Sequence, residues 1–218
     1  MQKIILFALL LLSSTTISAG HTIDAYFISA PAQLIPQLDE NRRKDLIDFH
    51  NAGVAHHIVN QLGGEVLIDT IDDMQITVKL SSSSSIQIAL LPVADTVGVI
   101  AVVHTVSLPA QDSRITFYNT RWQPIENGKI FTAPTAKTFL NKSSKKTAQQ
   151  AVDLIDMLPV SYVISGRTLQ AREDLKTYLP EEVYERLAPL LRKTPLSYTW
   201  NGNCLLYTSP SPRDRSVS

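Results

Sequence analysis

The spacing of apolar positions changes along the chain, and the change separates helical from extended stretches. Between Asn41 and Leu62, Leu46, Phe49, Val54 and Ile58 recur near helical spacing, with Asn41 placed to cap the start. Gly53 is expected to split or bend this segment. Gly63 and Gly64 are expected to end it, because glycine accepts the left-handed conformation found past helix ends. Pro31 to Leu38 is a shorter apolar piece broken by Pro36. From Met74 the period becomes two: Met74, Ile76, Val78 and Leu80 alternate with Gln75, Thr77 and Lys79, the pattern of a half-buried strand. Ser81 to Ser85 reads as a connection, after which Ile86, Ile88 and Leu90 resume the alternation. Asp95 and Thr96 mark a turn. Val97 to Leu108 is a long β-branched run, predicted to be a central strand, and Ile115 and Phe117 carry the next one. Connections this short predict antiparallel neighbours, since parallel strands need a crossover of a dozen or more residues.

Residues Ala136 to Gln149 are polar and Lys-rich (Lys137, Lys142, Lys145, Lys146) and read as a solvated loop. Asn141-Lys142-Ser143 fits a glycosylation sequon, which means little if the source is bacterial. Tyr162 to Gly166 reads as a strand. Pro180 to Leu191 reads as a helix: Pro180 sits at its first turn, Glu181 and Glu182 face the positive dipole end, and Arg192 and Lys193 lie at the other. Val183, Tyr184, Leu187, Leu190 and Leu191 form its apolar stripe, and Pro189 should distort its last turn. Leu196, Tyr198 and Trp200 form a further strand, followed by the hairpin signal Asn201-Gly202. The predicted class is α+β, with N-terminal helices, a central antiparallel β-meander, and a C-terminal helix and strand.

The two ends alter this picture. Lys3, the unbroken apolar run Ile4 to Leu12 and the small, polar stretch Ser13 to Gly20 have the order of a cleavable signal peptide, with Ala19 or Gly20 as the cleavage point. The run is about half the ~20 apolar residues that a membrane span needs, and no cysteine follows it to carry a lipid. At the other end, Cys204 to Asp214 matches one translated reading frame of a transposase adapter used in short-read DNA library preparation. Residues 204–218 are therefore expected to be a non-native tail that takes no part in the fold. The expected organisation is a signal peptide over residues 1–20, one α+β domain over 21–203, and the tail. The chain has 20 basic and 20 acidic side chains. Leaving out Lys3, Arg213, Asp214 and Arg215 gives residues 21–203 a formal charge of −2 and, with Cys204 excluded, no cysteine. That balance argues against a nucleic-acid or anionic-lipid footprint. Export without disulfides leaves stability to the hydrophobic core.

Four stretches carry a family likeness: Asn41-Arg-Arg-Lys-Asp-Leu-Ile-Asp-Phe49 before Gly53; Ile88-Ala-Leu-Leu-Pro92 with Asp95; Val103-His-Thr-Val106 with Pro109, Asp112-Ser-Arg-Ile115 and Phe117-Tyr118; and Leu191-Arg-Lys-Thr-Pro-Leu-Ser-Tyr-Thr-Trp200. In these the chain resembles the domain-of-unknown-function family 3256, exported proteins known chiefly from Bacteroidales. The resemblance implies export and carries no activity, ligand or catalytic residue.

Candidate chemistry is sparse. His104, Asp112 and Ser113 are the residue types of an acyl-transfer triad, which needs the base beside the nucleophile and a carboxylate behind the base; no nucleophile-elbow motif accompanies them. Strand alternation places His104 with Ile100 and Val102, predicting a neutral, buried imidazole hydrogen-bonded to Asp112 or Ser113. His50 and His57, seven apart, could share a helix face toward a metal, while His56 points elsewhere. Asp69, Asp72 and Asp73 lack calcium-loop spacing and read as a turn. No cofactor motif is present. The expected function is that of a non-catalytic exported module, periplasmic or extracellular, binding an envelope protein or glycan, without nucleic acid and without a transmembrane anchor. The alternative is an exported hydrolase with a site near His104.

Overall fold

The computed structural model describes residues 22–54, 57–93, 96–141 and 145–208. The signal-peptide stretch, His56, Asp95, Lys142 and the end of the tail lie outside them. Helix α1 (Ile23–Ser29) starts at Thr22, whose hydroxyl accepts the Ala25 N–H at 3.4 Å. Helix α2 (Glu40–Asn51) starts at Asp39, whose carboxylate accepts the Arg42 N–H at 2.9 Å. Arg43, Leu46 and Ile47 form its buried face at i, i+3, i+4 spacing.

The expected continuation of this helix to Leu62 does not occur. Gly53 takes φ +67°, its N–H bonds the His50 carbonyl, and the Val54 N–H bonds the Phe49 carbonyl at 3.1 Å. This pair of bonds around a left-handed glycine terminates a helix. Past it, Ile58–Val59 forms β1.

The first sheet has seven strands in chain order: β1, β2 (Glu65–Ile71), β3 (Gln75–Ser81), β4 (Ser84–Val93), β5 (Thr96–Ser107), β6 (Gln111–Tyr118) and β7 (Pro124–Ile125). Every neighbouring pair is antiparallel, so the central meander is as expected, extended by β1, β2 and β7. At the end of β4 the register shifts, and Gly98 lies under Val93: a Cβ there would meet Val93 Cγ2. Only glycine fits that crossing.

The chain then makes α3 (Asn127–Ile130), a 3-10 turn at Ala136–Phe139 and α4 (Lys145–Val152). The expected loop over Ala136 to Gln149 is thus partly helical, and Phe139 is buried. A second antiparallel sheet follows, in the order β11-β10-β9-β8. Its strands are β8 (Val160–Ser165), β9 (Thr168–Glu173), β10 (Leu196–Trp200) and β11 (Leu205–Thr208), with α5 (Leu175–Tyr178) and α6 (Glu181–Leu187) between β9 and β10. Pro189 converts the end of the expected Pro180–Leu191 helix into a 3-10 turn, Ala188–Leu190.

The α+β class holds, and the predicted C-terminal strand is one of four. The expectation that residues 204–218 stay outside the fold needs correction for Leu205–Thr208. Gly202 (φ +99°) turns the chain back, and Leu205, 6% exposed, pairs with Trp200 in the core. Residues 209–218 lie outside the described residues.

Three apolar clusters stack on these elements. Leu91, Ala101, Phe117, Leu169 and Trp200 pack between the sheets. Ile76, Ile88 and Val102 pack from the opposite face of the first sheet against Phe27 and Leu46 of the N-terminal helices. Strand β5 therefore alternates between two cores, which is why both of its faces are apolar. Leu140, Leu175, Leu187 and Leu191 form a satellite core under α4 to α6.

Candidate functional site

Strand register separates the acyl-transfer candidates. On β5 and β6, His104 pairs with Arg114 and Thr105 pairs with Ser113. Neighbouring positions point to opposite faces, so Ser113 lies on the face opposite His104. Ser113 Oγ is 2.8 Å from Thr105 Oγ1 and accepts the Tyr162 N–H at 3.1 Å. Asp112 shares the His104 face by register, but its carboxylate accepts the Val160 N–H at 3.1 Å. Both side chains hold β8 against the first sheet.

Nor does His104 have the expected hydrogen bond: among the described residues it makes none. It is half-buried rather than buried, at the end of the apolar row, where Val106 is 52% exposed. Burial holds the imidazole below its ordinary pKa, and the Arg114 guanidinium lowers it further. The folded state therefore favours the neutral form. Protonation in the unfolded chain costs stability once pH falls below the ordinary imidazole value of ~6.5. His104→Ala is expected to cost about 1 kcal/mol or less at about pH 8, since no hydrogen bond is lost. It should also make the urea midpoint less sensitive to acidification toward about pH 5. Midpoints of mutant and parent at both pH values check this, and a loss near 3 kcal/mol at the higher pH would contradict it.

The metal candidates also separate. His50 lies in α2 and His57 beyond the break at Gly53, so the shared helix face does not exist. His57 Nε2 is 3.9 Å from Glu65 Oε1, both side chains mostly exposed. Among the described residues, no three His, Cys, Asp or Glu side chains converge as a metal site. Asp72 Oδ1 accepts the Met74 and Gln75 N–H groups, as a turn residue does, and Asp69 pairs with Lys79 at 2.6 Å. The Asn141 amide donates to the Leu191 carbonyl at 2.8 Å, a structural role at the first position of the sequon.

A cleft of about 380 Å³ opens between the end of β9, the α6 segment and the 191–195 loop. Glu173 and Asp174 build one wall at the start of α5: Glu173 Oε2 accepts the Leu175 N–H, and Asp174 accepts the Thr177 hydroxyl and the Gln111 N–H. Burial, and Asp174 beside it, push the Glu173 carboxyl up, while the Leu175 N–H and Arg172 act against the shift.

The other wall is two segments clasped together. Leu140 and Leu191 form an antiparallel bridge, the Arg192 N–H bonds the Phe139 carbonyl at 2.8 Å, and Arg192 Nε donates to the Thr138 carbonyl at 3.0 Å. Phe139, Leu191 and Pro195 supply apolar lining, and Arg172, Lys176, Arg192 and Lys193 supply positive charge. Sequence reasoning assigned Arg192 and Lys193 only to a helix end. The cleft draws its cations from β9, α5 and the 191–195 loop, and no local motif links them.

The family model described as Protein of unknown function (DUF3256) matches residues 15–204. A solved structure, that of a domain of an uncharacterized protein from Porphyromonas gingivalis W83, is similar in fold, with a TM-score of 0.75 at 24% identity. The match covers 87% of this chain and 98% of that one. No curated protein matches the chain.

Proposed function

The chain belongs to the DUF3256 family of proteins of unknown function, and from that premise we propose that it is an exported, non-catalytic binding or structural module of the cell envelope or exterior. The observation that carries the non-catalytic part is the use made of Asp112 and Ser113: both are committed to the β8 backbone, and Ser113 faces away from His104. The hydrolase alternative needs those groups converging on one reacting atom. Export is supported by the charge, apolar run and small residues of the first twenty positions. No helix among the described residues is long and apolar enough to cross a membrane. The partner class is an envelope protein or glycan.

Mass spectrometry of the protein recovered from cell fractions of its host tests the address. The expected N-terminus is Gly20 or His21, with the protein depleted from the cytoplasm. An intact Met1 in a cytoplasmic pool would overturn export. A hydrolase-substrate screen with His104→Ala as control tests the rest: activity that disappears in the mutant would restore the enzyme reading.

A further inference from the structure

We propose that the cleft between β9 and the 191–195 loop binds an oxyanion, a carboxylate or a phosphate carried on a small apolar body, with Arg192 as the group that reads it. The proposal rests on the reading of the protein as a binding module and gives that module a ligand chemistry.

The charge count in the cleft is the first argument. Four cations face two carboxylates, and both carboxylates are already engaged as hydrogen-bond acceptors in the α5 corner. Arg172, Lys176, Arg192 and Lys193 make no ion pair within 4.0 Å among the described residues. The cations are therefore uncompensated by direct partners while lying around one concavity. Scattered surface cations do not focus a field; cations around a low-dielectric recess do.

Arg192 supplies geometry as well as charge. Its backbone N–H is held by the Phe139 carbonyl and its Nε by the Thr138 carbonyl. Its two terminal nitrogens have no hydrogen-bond partner among the described residues. A guanidinium fixed through Nε keeps a planar pair of donors for a second group, which suits the two oxygens of a carboxylate or phosphate. The entropy of ordering this long side chain is already spent in the folded protein.

The lining sets the size of the ligand. Phe139 and Leu191 are 2% and 4% exposed, so the floor is fixed, and Pro195 and the half-buried Tyr184 flank it. A volume of about 380 Å³ lies at the small end of ligand pockets and matches one anionic group with a ring-sized apolar body. Glu173 and Asp174 oppose an anion, but both already accept hydrogen bonds in the α5 corner, and burial pushes the Glu173 carboxyl up.

The test uses the full chain and three probes: inorganic phosphate, phenyl phosphate and benzoate, titrated while backbone and arginine side-chain NMR signals are followed. Saturable shifts of Arg192 and its neighbours are expected, with a phenyl-bearing probe binding more tightly than inorganic phosphate. The two phenyl probes distinguish a phosphate ligand from a carboxylate one. Arg192→Gln should weaken the better probe roughly tenfold. Because that change also removes the bond to Thr138, Lys193→Gln serves as a second variant. Its exposed side chain makes no hydrogen bond among the described residues, and it should weaken binding several-fold without shifting the melting temperature. Arg121→Gln, outside the cleft, should leave affinity unchanged. Equal affinity in parent, Arg192→Gln and Lys193→Gln, or shifts that map to another surface, would overturn this assignment while leaving the module reading intact. The module reading falls separately, on the hydrolase screen.

Discussion

Arg43→Ala is expected to destabilise the protein by about 3 kcal/mol, which for a chain of this size lowers the melting temperature by roughly 10 °C. Arg43 projects from α2 into the interior and is 3% exposed, and among the described residues no carboxylate pairs with it directly. Its guanidinium instead donates to two carbonyls at the end of α1, that of Phe27 at 3.0 Å and that of the capping residue Ala30 at 2.6 Å, while Nε reaches the Asp39 carbonyl at 3.4 Å. The Phe27 carbonyl also accepts the Ala30 N–H at 3.4 Å; carbonyls at a helix C-terminus run short of partners and carry partial negative charge, so a buried cation there answers both. Desolvation lowers the Arg43 pKa, and Glu40 and Asp39 counter it.

Truncation removes the bonds to both carbonyls and the aliphatic stem that fills the space between the two helices. Arg43→Lys should fall between parent and alanine, because an ammonium reaches fewer carbonyls than the guanidinium fork. Guanidinium-chloride unfolding followed by tryptophan fluorescence checks the order. A midpoint for Arg43→Ala equal to the parent's would show that α1 is held by its apolar face alone.

Legibility in the sequence followed the source of each signal. Strands β3, β4 and β6 were readable because each carries its own apolar alternation in the sequence: on β3, Ile76, Val78 and Leu80 are buried, and Lys79 between them is exposed. The central place of β5 was readable because both of its faces are apolar, and the structure puts a core on each. Strand β9 was not read, since Gln170 and Arg172 on its solvent face dilute the apolar signal of Leu169 and Ala171. Apolar residues near helical spacing past Gly53 suggested more helix than exists. Val54 is 44% exposed and Leu62 82% exposed, so that spacing had no buried face behind it.

The candidate site was hidden for a different reason. His104, Asp112 and Ser113 are close in sequence and drew attention together, but a one-residue difference in strand position decides which face each occupies. The cleft cations lie at 172, 176, 192 and 193 and come together only when β9, α5 and the 191–195 loop are folded. Arg43 gave no sign either: in an Arg-Arg-Lys run, nothing local says which cation turns inward. Its burial follows from sharing a helix face with Leu46 and Ile47.

Gln87→Leu is expected to cost about 2 to 4 kcal/mol, although leucine is nearly the same size and more apolar. Gln87 lies on β4, facing the second sheet, and is 8% exposed. Its amide makes two bonds to one residue: Nε2 donates to the Ile164 carbonyl and Oε1 accepts the Ile164 N–H, each at 2.8 Å. The side chain thus takes the place of a neighbouring strand for the open edge of β8. Asp112 and Ser113 do the same for the N–H groups of Val160 and Tyr162, so three side chains of the first sheet satisfy alternate residues of this edge. An edge left bare would be open to pairing with other chains. An edge buried without partners would lose the desolvation energy of each unpaired group.

Leucine at position 87 leaves both backbone groups of Ile164 unsatisfied inside the sheet–sheet core, and added apolar contact offsets only part of that. Gln87→Glu keeps the acceptor for the Ile164 N–H but sets an acceptor against the Ile164 carbonyl, and should lose nearly as much. Ser113→Ala, which removes one half-buried acceptor, should cost about 1 kcal/mol. Amide hydrogen exchange gives the local reading: the Ile164 N–H should lose protection in Gln87→Leu, and the Tyr162 N–H in Ser113→Ala. Retained protection at Ile164 in Gln87→Leu, with an unchanged unfolding midpoint, would mean that the β8 edge is held by β9 and the core alone.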